Sequence, residues 1–412
     1  MQRSLVLLVV GALGLVACGT GESTADTPRA EPGVVAYEDS AAEVVRMDQP
    51  APAPRDDGLP SGLETFRSPD PSLPPPTIDL SVLRSGGPPP DGIPSIDAPE
   101  FHTASTVDYL DDDDPVIALE IDGDARAYPL EILIWHELVN DTVGGVPVSV
   151  AYCPLCNSVT VYEREIDGRV LDFGVSGLLY NSSLVMYDRQ TETLWSHFTG
   201  QPLHGALVDS ELVSLPATIV GFDTWRREHP DGLVLNRNTG ASRNYGVNPY
   251  PGYDDVDATP FLFEGDVDGR YTAMTRVVGV ETDDGAAAAA FPLLELRTAG
   301  VMSTTLGERE VVAFWLPGAT SALDTEAVGD GVDVGTTGVF DPELDGRTLT
   351  FSSATGEDGT PVIVDAETGS TWSIFGEAVA GELAGRRLDQ LVHIDTFWFA
   401  WIAFHPDSSV AG

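Results

Sequence analysis

Two short apolar runs rich in β-branched and aromatic residues give the chain its clearest pattern. Residues 146–152 predict a buried strand, and residues 159–162 predict its antiparallel return. The sequence Cys-Pro-Leu-Cys-Asn over 153–157 joins them. Asn157 tolerates the positive φ that such a turn commonly requires. The pattern therefore predicts a hairpin that carries two thiols at its tip.

The apolar run before this hairpin predicts a short helix. It begins after Pro129 and ends near Asn140 and Asp141. On this helix, His136 and Glu137 would present a catalytic base, or a metal ligand with a supporting carboxylate. An exposed surface pair is the other interpretation of the same two residues.

The pattern of the body occurs twice. Residues 116–231 and 278–407 share motifs in the same order, among them Gly-Arg before a strand, Trp-Ser-X-Phe, and a final His-Pro-Asp. So many ordered matches make chance a poor explanation. The recurrence predicts an α+β fold, rich in β-structure, built from two tandem diverged copies of one mainly antiparallel unit.

These patterns divide the chain into five parts. They are a lipoprotein signal peptide over 1–17, a lipidated cysteine and disordered acidic tether over 18–99, a first copy over 100–235, an irregular connection over 236–272, and a second, degenerate copy over 273–412.

The two copies act as controls for each other. Asp188 and Trp195 have counterparts in Asp365 and Trp372, so we interpret them as residues of the shared fold. Other residues of the first copy align with apolar residues of the second copy. The aligned pairs are Cys153 with Leu316, Cys156 with Ala319, His136 with Ala299, His197 with Ile374, and His204 with Ala380. This joint loss predicts one site in the first copy and a structural second copy. Independent drift of core residues is the alternative.

The first residues predict export. An apolar core over 4–16 is short for a membrane span and typical of a signal peptide. Leu-Val-Ala-Cys-Gly over 15–19 resembles the lipobox of bacterial lipoproteins, which implies cleavage before Cys18 and acylation of its thiol. The body would then lie outside the cytoplasm, anchored to a membrane of the cell envelope, in a space where disulfides persist.

The segment over 18–99 is rich in Pro, Asp, Glu, Ser, Ala and Gly. Such a composition buries too little apolar surface to offset the chain entropy lost on folding. We therefore expect a disordered tether that is semi-rigid where prolines cluster, with room for short ordered patches around 80–83.

The formal net charge is −44, from 65 acidic and 21 basic residues, and every basic residue is an arginine. Nucleic acid is not an expected partner, because phosphate contacts require clustered cations. A solvated acidic surface explains this composition. The expected partner is the membrane, through the lipid anchor, and the sequence identifies no protein partner.

A set of long motifs carries a family resemblance. They are Tyr-Pro-Leu-Glu over 128–131, Trp-His-Glu-Leu-Val-Asn-Asp over 135–141, Tyr-Cys-Pro-Leu-Cys over 152–156, Phe-Gly-Val-Ser-Gly over 173–177 and Asn-Pro-Tyr over 248–250. With these motifs the chain resembles the family catalogued as domain of unknown function 3179. The resemblance covers nearly all of the body and implies an exported or membrane-attached prokaryotic protein, and it carries no activity with it. Asn157 replaces the glycine more frequent in the family and meets the same backbone need.

The hypothesis we favour for the thiols is a soft-metal site. A Cys-Pro-X-Cys turn between strands resembles the metal-binding knuckle of rubredoxins and zinc ribbons, which use two knuckles. This chain has one, so further ligands are needed, and the candidates are His197, His204 and His136, with Met186 as a softer choice. Two thiolates with imidazole suit Zn(II), whereas two thiolates alone or with imidazole or thioether suit Cu(I). A copper or zinc ion is the expected cofactor.

A thiol–disulfide oxidoreductase is the enzymatic alternative, since Cys-X-X-Cys is the spacing of thioredoxin-like proteins. In those proteins the motif opens a helix that lowers the pKa of the first thiol. Here strand-forming residues follow Cys156, so a nearby histidine such as His136 would have to replace the helix. Cys153 would be the nucleophile in this interpretation.

A structural disulfide in a non-enzymatic surface protein is the third alternative. A two-residue spacer closes too short a loop to stabilise the fold much, which makes this interpretation the weakest of the three. Under the first two interpretations, four further residues are expected to line the cleft beside the thiols: Glu137, Asn181, Ser182 and Met186.

Overall fold

Short antiparallel strands joined by tight turns form most of the regular structure in the computed structural model, which describes residues 43–56 and 58–412. Asp-Gly pairs at 122–123, 167–168 and 345–346 have positive φ at both residues. Such pairs favour the type I′ turn, whose twist matches that of the two flanking strands. Local turn chemistry therefore sets the register of these hairpins.

The elements fall into three groups along the chain. The N-terminal group is β1 (Val45–Arg46), α1 (Gly62–Thr65), β2 (Arg84–Ser85) and β3 (Glu100–Thr103). The middle group is β4 (Pro115–Ile121), β5 (Asp124–Pro129), α2 (Leu130–His136), β6 (Leu138–Val143), β7 (Val146–Cys153), β8 (Ser158–Glu163), β9 (Glu165–Ile166), β10 (Arg169–Val170), β11 (Phe173–Tyr180), β12 (Ser183–Asp188), β13 (Leu194–Ser196), β14 (Pro202–His204), β15 (Thr218–Gly221), α3 (Phe222–Glu228) and β16 (Leu233–Leu235). The C-terminal group is β17 (Arg276–Glu281), β18 (Ala288–Pro292), α4 (Leu293–Ala299), β19 (Val301–Leu306), β20 (Arg309–Leu316), β21 (Thr336–Phe340), β22 (Glu343–Leu344), β23 (Arg347–Thr348), β24 (Phe351–Thr355), β25 (Pro361–Asp365), β26 (Thr371–Trp372), β27 (Ala378–Ala380), β28 (His393–Phe397), α5 (Trp398–Phe404) and β29 (Ser409–Val410). Three-residue 3-10 helices lie at Leu80–Val82, Ala104–Thr106 and Val328–Asp330.

The strands pair mainly in antiparallel fashion, so the predicted β-rich α+β class is confirmed. The largest sheet has the order β1-β3-β16-β5-β4-β15, and its C-terminal counterpart has the order β28-β17-β18-β29. Hairpin sheets β6-β7-β8 and β19-β20-β21 follow, and then the sheets β14-β13-β12-β11-β2 and β24-β25-β26-β27.

The order of elements from β4 to β16 recurs from β17 to β29. In each series the last strand pairs in parallel with the second one, β16 with β5 and β29 with β18. The strand before the last helix pairs with the first strand, β15 with β4 and β28 with β17. The proposal that two diverged copies of one unit make up the body rests on this recurrence.

The structure differs from the predicted tether from residue 43 onward. Ile96 forms a bridge with Val139, and Gln49 donates from Nε2 to Oδ1 of Asp141 at 2.9 Å. Leu80 and Leu83 are buried in a cluster with strands β11 to β14. The prediction of disorder is therefore wrong for residues 43–99, where a few well-spaced leucines and isoleucines cover apolar faces of the body, and residues 18–42 lie outside the described residues.

The predicted helix is shorter than expected. It ends at His136, because Glu137 adopts a left-handed conformation with φ 59° and the following residues form β6. Its start after Pro129 is as predicted. Among the described residues, no helix is long and apolar enough to cross a membrane.

The middle and C-terminal groups share one hydrophobic core. All described residues belong to one compact unit. The carbonyl of Cys156 accepts hydrogen bonds from Oγ1 of Thr396 at 2.8 Å and from the amide of Phe397 at 3.1 Å. The C-terminal group thus holds the backbone of the thiol turn in place.

Candidate functional site

The two thiols lie on the tip of the predicted hairpin, which is confirmed. Strands β7 and β8 pair in antiparallel register, with Cys153 opposite Ser158. Asn157 has φ 52°, as the turn requires, and its amide donates to the carbonyl of Pro154 at 3.3 Å. Cys153 and Cys156 are 2% and 0% exposed, and neither forms a disulfide.

The Cys156 sulfur lies close to two serine hydroxyls. The hydroxyl of Ser158 is 2.9 Å from Sγ and that of Ser183 is 3.6 Å from it. Burial disfavours the thiolate, but hydrogen bonds from the Cys153 thiol and from both serine hydroxyls outweigh burial and lower the pKa of Cys156. Cys156 is therefore the thiol that ionises more readily.

The pKa of Cys153 shifts in the opposite direction. Burial, followed by its contact with the Cys156 sulfur, raises the pKa of Cys153 well above its ordinary value. The surroundings therefore favour ionisation of Cys156 over ionisation of Cys153. Because the thiolate is the nucleophilic form, these surroundings favour Cys156 over Cys153, the residue that we expected to be the nucleophile of an exchange reaction.

A chain of hydrogen bonds continues from Cys156 through Ser158 to His197. The Ser158 hydroxyl is 2.9 Å from Nε2 of His197, and the Thr160 hydroxyl is 3.0 Å from Nδ1 of His197. Burial lowers the pKa of His197 to about 3, so the ring is neutral and one nitrogen donates while the other accepts. Donation from Nε2 to Ser158 leaves the serine hydroxyl free to donate to the Cys156 sulfur.

Comparison with known families adds one result. Residues 90–408 match the family described as protein of unknown function (DUF3179). The chain belongs to this family. No curated protein matches the chain, and no solved structure matches it.

In this DUF3179 chain, His136 contacts segments other than the thiol turn. Its Nδ1 is 2.7 Å from the carbonyl oxygen of Pro94, and its Nε2 is 2.7 Å from the hydroxyl of Tyr245. Burial lowers the pKa of His136. Both ring nitrogens of His136 therefore have partners other than a cysteine sulfur. His136 connects residues 94 and 245 to α2, which is a structural role.

The contacts of His204 and Met186 are with residues other than the two cysteines. His204 contacts the N-terminal group, where Nε2 is 2.9 Å from the hydroxyl of Thr65. Its buried Nδ1 has no hydrogen-bond partner among the described residues. Met186 lies on β12 opposite Val175 and Trp195 and is fully buried in the main core.

The cover over the thiol turn comes from the connection between β16 and β17. The hydroxyl of Tyr253 donates to the carbonyl of Leu155 at 2.9 Å and accepts from the amide of Phe261 at 3.1 Å. The hydroxyl of Ser182 donates to the carbonyl of Phe261. Asn181 and Ser182, predicted to line the cleft, form the left-handed turn between β11 and β12, and Ser182 anchors the cover.

The residues around sulfur include several that sequence patterns missed. Ser158, Thr160 and Ser183 are buried hydroxyls on strands, and Tyr253 belongs to an irregular segment. Ser158 lies two residues after Cys156, so strand alternation was one signal for it. The approach of Ser183 to Cys156 depends on packing between two sheets, and no sequence spacing indicates it.

Metal-ligating side chains are not clustered in the described part of the chain. Among residues 43–56 and 58–412, no three or more His, Cys, Asp and Glu side chains are grouped so that they could hold a metal. Zn(II) sites in proteins almost always have four ligands, or three with water.

The predicted lipidation site, Cys18, and the whole predicted signal peptide lie outside the described residues.

Proposed function

We propose that Cys153 and Cys156 form a dithiol–disulfide redox pair. The observation that carries the proposal is the placement of the Cys156 sulfur 2.9 Å from the Ser158 hydroxyl, which favours its thiolate, whereas burial raises the pKa of Cys153. Thiol–disulfide exchange needs this combination, a thiolate that attacks and a neighbouring thiol that resolves.

The reaction balances without a cofactor. The Cys156 thiolate attacks a substrate disulfide R–S–S–R′, which forms a mixed disulfide at Cys156 and releases R′–S⁻. Cys153 loses its proton and attacks the Cys156 sulfur, which forms the Cys153–Cys156 disulfide and releases R–S⁻. The substrate is reduced to two thiols and the protein dithiol is oxidised. Because both sulfurs are buried, the substrates that suit the site are small disulfides.

The test uses the full chain carrying Cys18→Ser, which leaves Cys153 and Cys156 as its only thiols. The probe is 4,4′-dithiodipyridine, an uncharged disulfide that the acidic surface does not repel. We expect two equivalents of thiopyridone from this parent, and one equivalent with a stable mixed disulfide from Cys153→Ser. Cys156→Ser should react at least about tenfold more slowly near neutral pH, because the Cys153 thiolate is scarce.

One outcome of the same experiment would contradict the redox proposal. If the native parent releases nothing while the urea-unfolded parent releases two equivalents, the thiols are inert in the fold. The redox proposal would then be wrong, and a structural role for the turn would remain.

A Cu(I) site is the second candidate, and one observation favours it. Backbone amides favour both thiolates: those of Cys156 and Leu184 act to lower the pKa of Cys153, and that of Ser158 acts to lower the pKa of Cys156. Such donors stabilise a pair of thiolates, and thiolates are the ligands that Cu(I) prefers. Zinc is less suited because the turn offers only two ligands. About one equivalent of copper in parent protein purified without oxygen or chelator, lost in both Cys→Ser variants, would support this candidate, and metal-free protein would reject it.

We also propose that the chain is an exported lipoprotein held to a membrane through acylated Cys18. The support is the apolar core over 4–16 followed by the lipobox-like sequence over 15–19. Cys18→Ser should move the protein from the membrane fraction to the soluble fraction of the exporting cell. Retention of the variant in the membrane fraction would reject the lipid anchor.

A further inference from the structure

A short part of the connection between β16 and β17 covers the thiol turn with few contacts of its own. Residues 259–264 form no helix or strand, and Pro260 is the one buried residue among them. In the described structure, the hydrogen bonds that join the backbone of 259–264 to other segments both belong to Phe261. Segments with so few buried groups open at a lower free energy than the whole fold. We call residues 259–264 the lid.

The amide of Phe261 connects the lid to the thiol turn. It donates to the hydroxyl of Tyr253 at 3.1 Å, and that hydroxyl donates to the carbonyl of Leu155 at 2.9 Å. Leu155 lies between Cys153 and Cys156 in the sequence. One tyrosine hydroxyl therefore joins the lid to the backbone between the two thiols.

The carbonyl of Phe261 connects the lid to a second element that reaches the sulfurs. It accepts a hydrogen bond from the hydroxyl of Ser182. The hydroxyl of the next residue, Ser183, is 3.6 Å from Sγ of Cys156. The side chain of Phe261 is itself 43% exposed. The chain of contacts from the buried sulfur to solvent is thus short, and it ends at the lid.

The remaining contacts of the lid are few. The ring of Phe263 packs against that of Phe399, with ring centroids 5.0 Å apart, and Glu264 pairs with Arg84. Exposed ion pairs contribute little to stability because solvent screens them. Leu262 is 41% exposed and has φ 52°, a left-handed conformation that is costly for residues other than glycine. Strain and exposure both lower the free energy needed to displace the lid.

The C-terminal group, which has no cysteine, leaves the corresponding turn uncovered. Residues 356–360 join β24 to β25, as the turn at Ser182 joins β11 to β12. The described hydrogen bonds of 356–360 all lie within that turn, and most of its residues are exposed. The lid therefore accompanies the thiols, and the shared order of strands does not require it.

We propose that the lid controls access to Cys153 and Cys156, and that a disulfide substrate reaches the sulfurs when both hydrogen bonds of Phe261 break. The inference rests on the redox function proposed above and adds a step before the attack by Cys156. With the lid closed, the two cysteines are 2% and 0% exposed and offer no surface that a disulfide could contact. Opening of the lid breaks no covalent bond. Tyr253 and Ser182 are positioning residues that set how often the lid opens.

The experiment measures access with two probes in the Cys18→Ser chain. With 4,4′-dithiodipyridine, release of the first equivalent of thiopyridone is the first phase of the reaction and reports attack by Cys156. Iodoacetamide alkylates a thiolate without any exchange, so it reports access alone. Ser182→Ala and Tyr253→Phe should each speed both reactions by at least about fivefold, which corresponds to one net hydrogen bond. The double variant should react at least about 25-fold faster than the parent.

Two controls separate lid opening from a general loss of stability. Asp365→Ala removes the acceptor of Nε1 of Trp372 in the C-terminal group and weakens the whole fold. Tyr271→Phe removes a tyrosine hydroxyl of the same connection, outside the lid, whose contact is Glu295 at 3.4 Å. Both controls should react at the rate of the parent.

The outcomes distinguish the lid from the redox function. Rates with both probes that do not change in the double variant, or that rise equally in Asp365→Ala, would overturn the lid. Faster alkylation of the double variant without release of thiopyridone from any native chain would support the lid and reject the redox function. Because Ser182→Ala and Tyr253→Phe act on opposite ends of Phe261, each tests the lid if the other folds poorly.

Discussion

At the scale of single residues, the two thiols differ because of their neighbours and not because of a helix. In a helical Cys-X-X-Cys motif, the positive end of the helix dipole lowers the pKa of the first thiol. Here β8 follows the turn, and the hydroxyls of Ser158 and Ser183 act on the second thiol. The absence of a helix was predictable from the residues after Cys156, but the replacement of its effect by hydroxyls was not.

Removal of the Ser158 hydroxyl should raise the pKa of Cys156. A hydrogen bond to a charged group contributes about 1.5–3 kcal/mol, which corresponds to a shift of roughly one to two pH units. The pH at which the first phase reaches half its maximal rate should therefore move upward by about one unit in Ser158→Ala. The measurement is the pH profile of the reaction with 4,4′-dithiodipyridine in the Cys18→Ser chain.

Ser149→Ala is the matched control for this shift. Ser149 lies on β7, is fully buried, and its hydroxyl has no hydrogen-bond partner among the described residues. Removal of the Ser149 hydroxyl should leave the pH profile of the reaction unchanged. A profile that does not move in Ser158→Ala, or that moves equally in both variants, would show that the Ser158 hydroxyl does not stabilise the thiolate.

At the scale of elements, one turn motif recurs with the same hydrogen bonds. Oδ1 of Asp188 accepts from the amide of Thr191, and Oδ2 accepts from Nε1 of Trp195 at 3.0 Å. Oδ1 of Asp365 accepts from the amide of Thr368, and Oδ2 accepts from Nε1 of Trp372, again at 3.0 Å. The interpretation of these residues as parts of a shared fold agrees with this geometry, because each carboxylate joins a turn to a buried indole.

Asp188→Ala and Asp365→Ala should each lower the free energy of unfolding by about 2 kcal/mol. Each change leaves a buried indole N–H without its acceptor, and an unsatisfied buried donor costs about 1–3 kcal/mol. Urea unfolding of the Cys18→Ser chain measures the loss. Asp209→Ala, on an exposed turn, is the control and should stay within about 0.5 kcal/mol. If only one of the two aspartates matters, the motifs are alike in geometry but not in energy.

At the scale of the whole molecule, the segment before residue 100 belongs to the fold. Strand β1 pairs with β3, β2 pairs with β11, and Leu80 and Leu83 cover Leu178, Val185 and Leu203. The thiol turn likewise depends on distant parts of the chain, because β28 holds its carbonyl and the connection covers it. The site is therefore a property of the assembled molecule and not of the middle group of elements alone.

A chain that begins at residue 43 should unfold at the same temperature as the Cys18→Ser chain, whereas one that begins at residue 100 should not. The second truncation removes the buried Leu73, Leu80, Leu83 and Ile96. Each fully buried side chain of this kind contributes about 1.5–3 kcal/mol, so the loss is on the order of 5 kcal/mol or more. We expect the thermal midpoint to fall by about 10 °C or more. Equal midpoints for the two truncations would mean that this segment does not stabilise the fold.

The sequence by itself determined the local features of this protein. The hairpin of β7 and β8, the left-handed Asn157 and the start of α2 follow from residue preferences that act over a few positions. The β-rich class follows from the number of such segments. The two-residue spacing of Cys153 and Cys156 is enough to put both thiols on one turn.

Only the tertiary structure decided which groups meet the thiols. Of the three histidines proposed beside them, His197 alone is joined to Cys156 through a hydrogen bond network, whereas His136 and His204 contact other segments. Ser183 and Tyr253 reach the turn from 27 or more residues away along the chain. Contacts of this kind depend on how sheets and loops pack against one another, and the periodicity of a strand or helix carries no information about them.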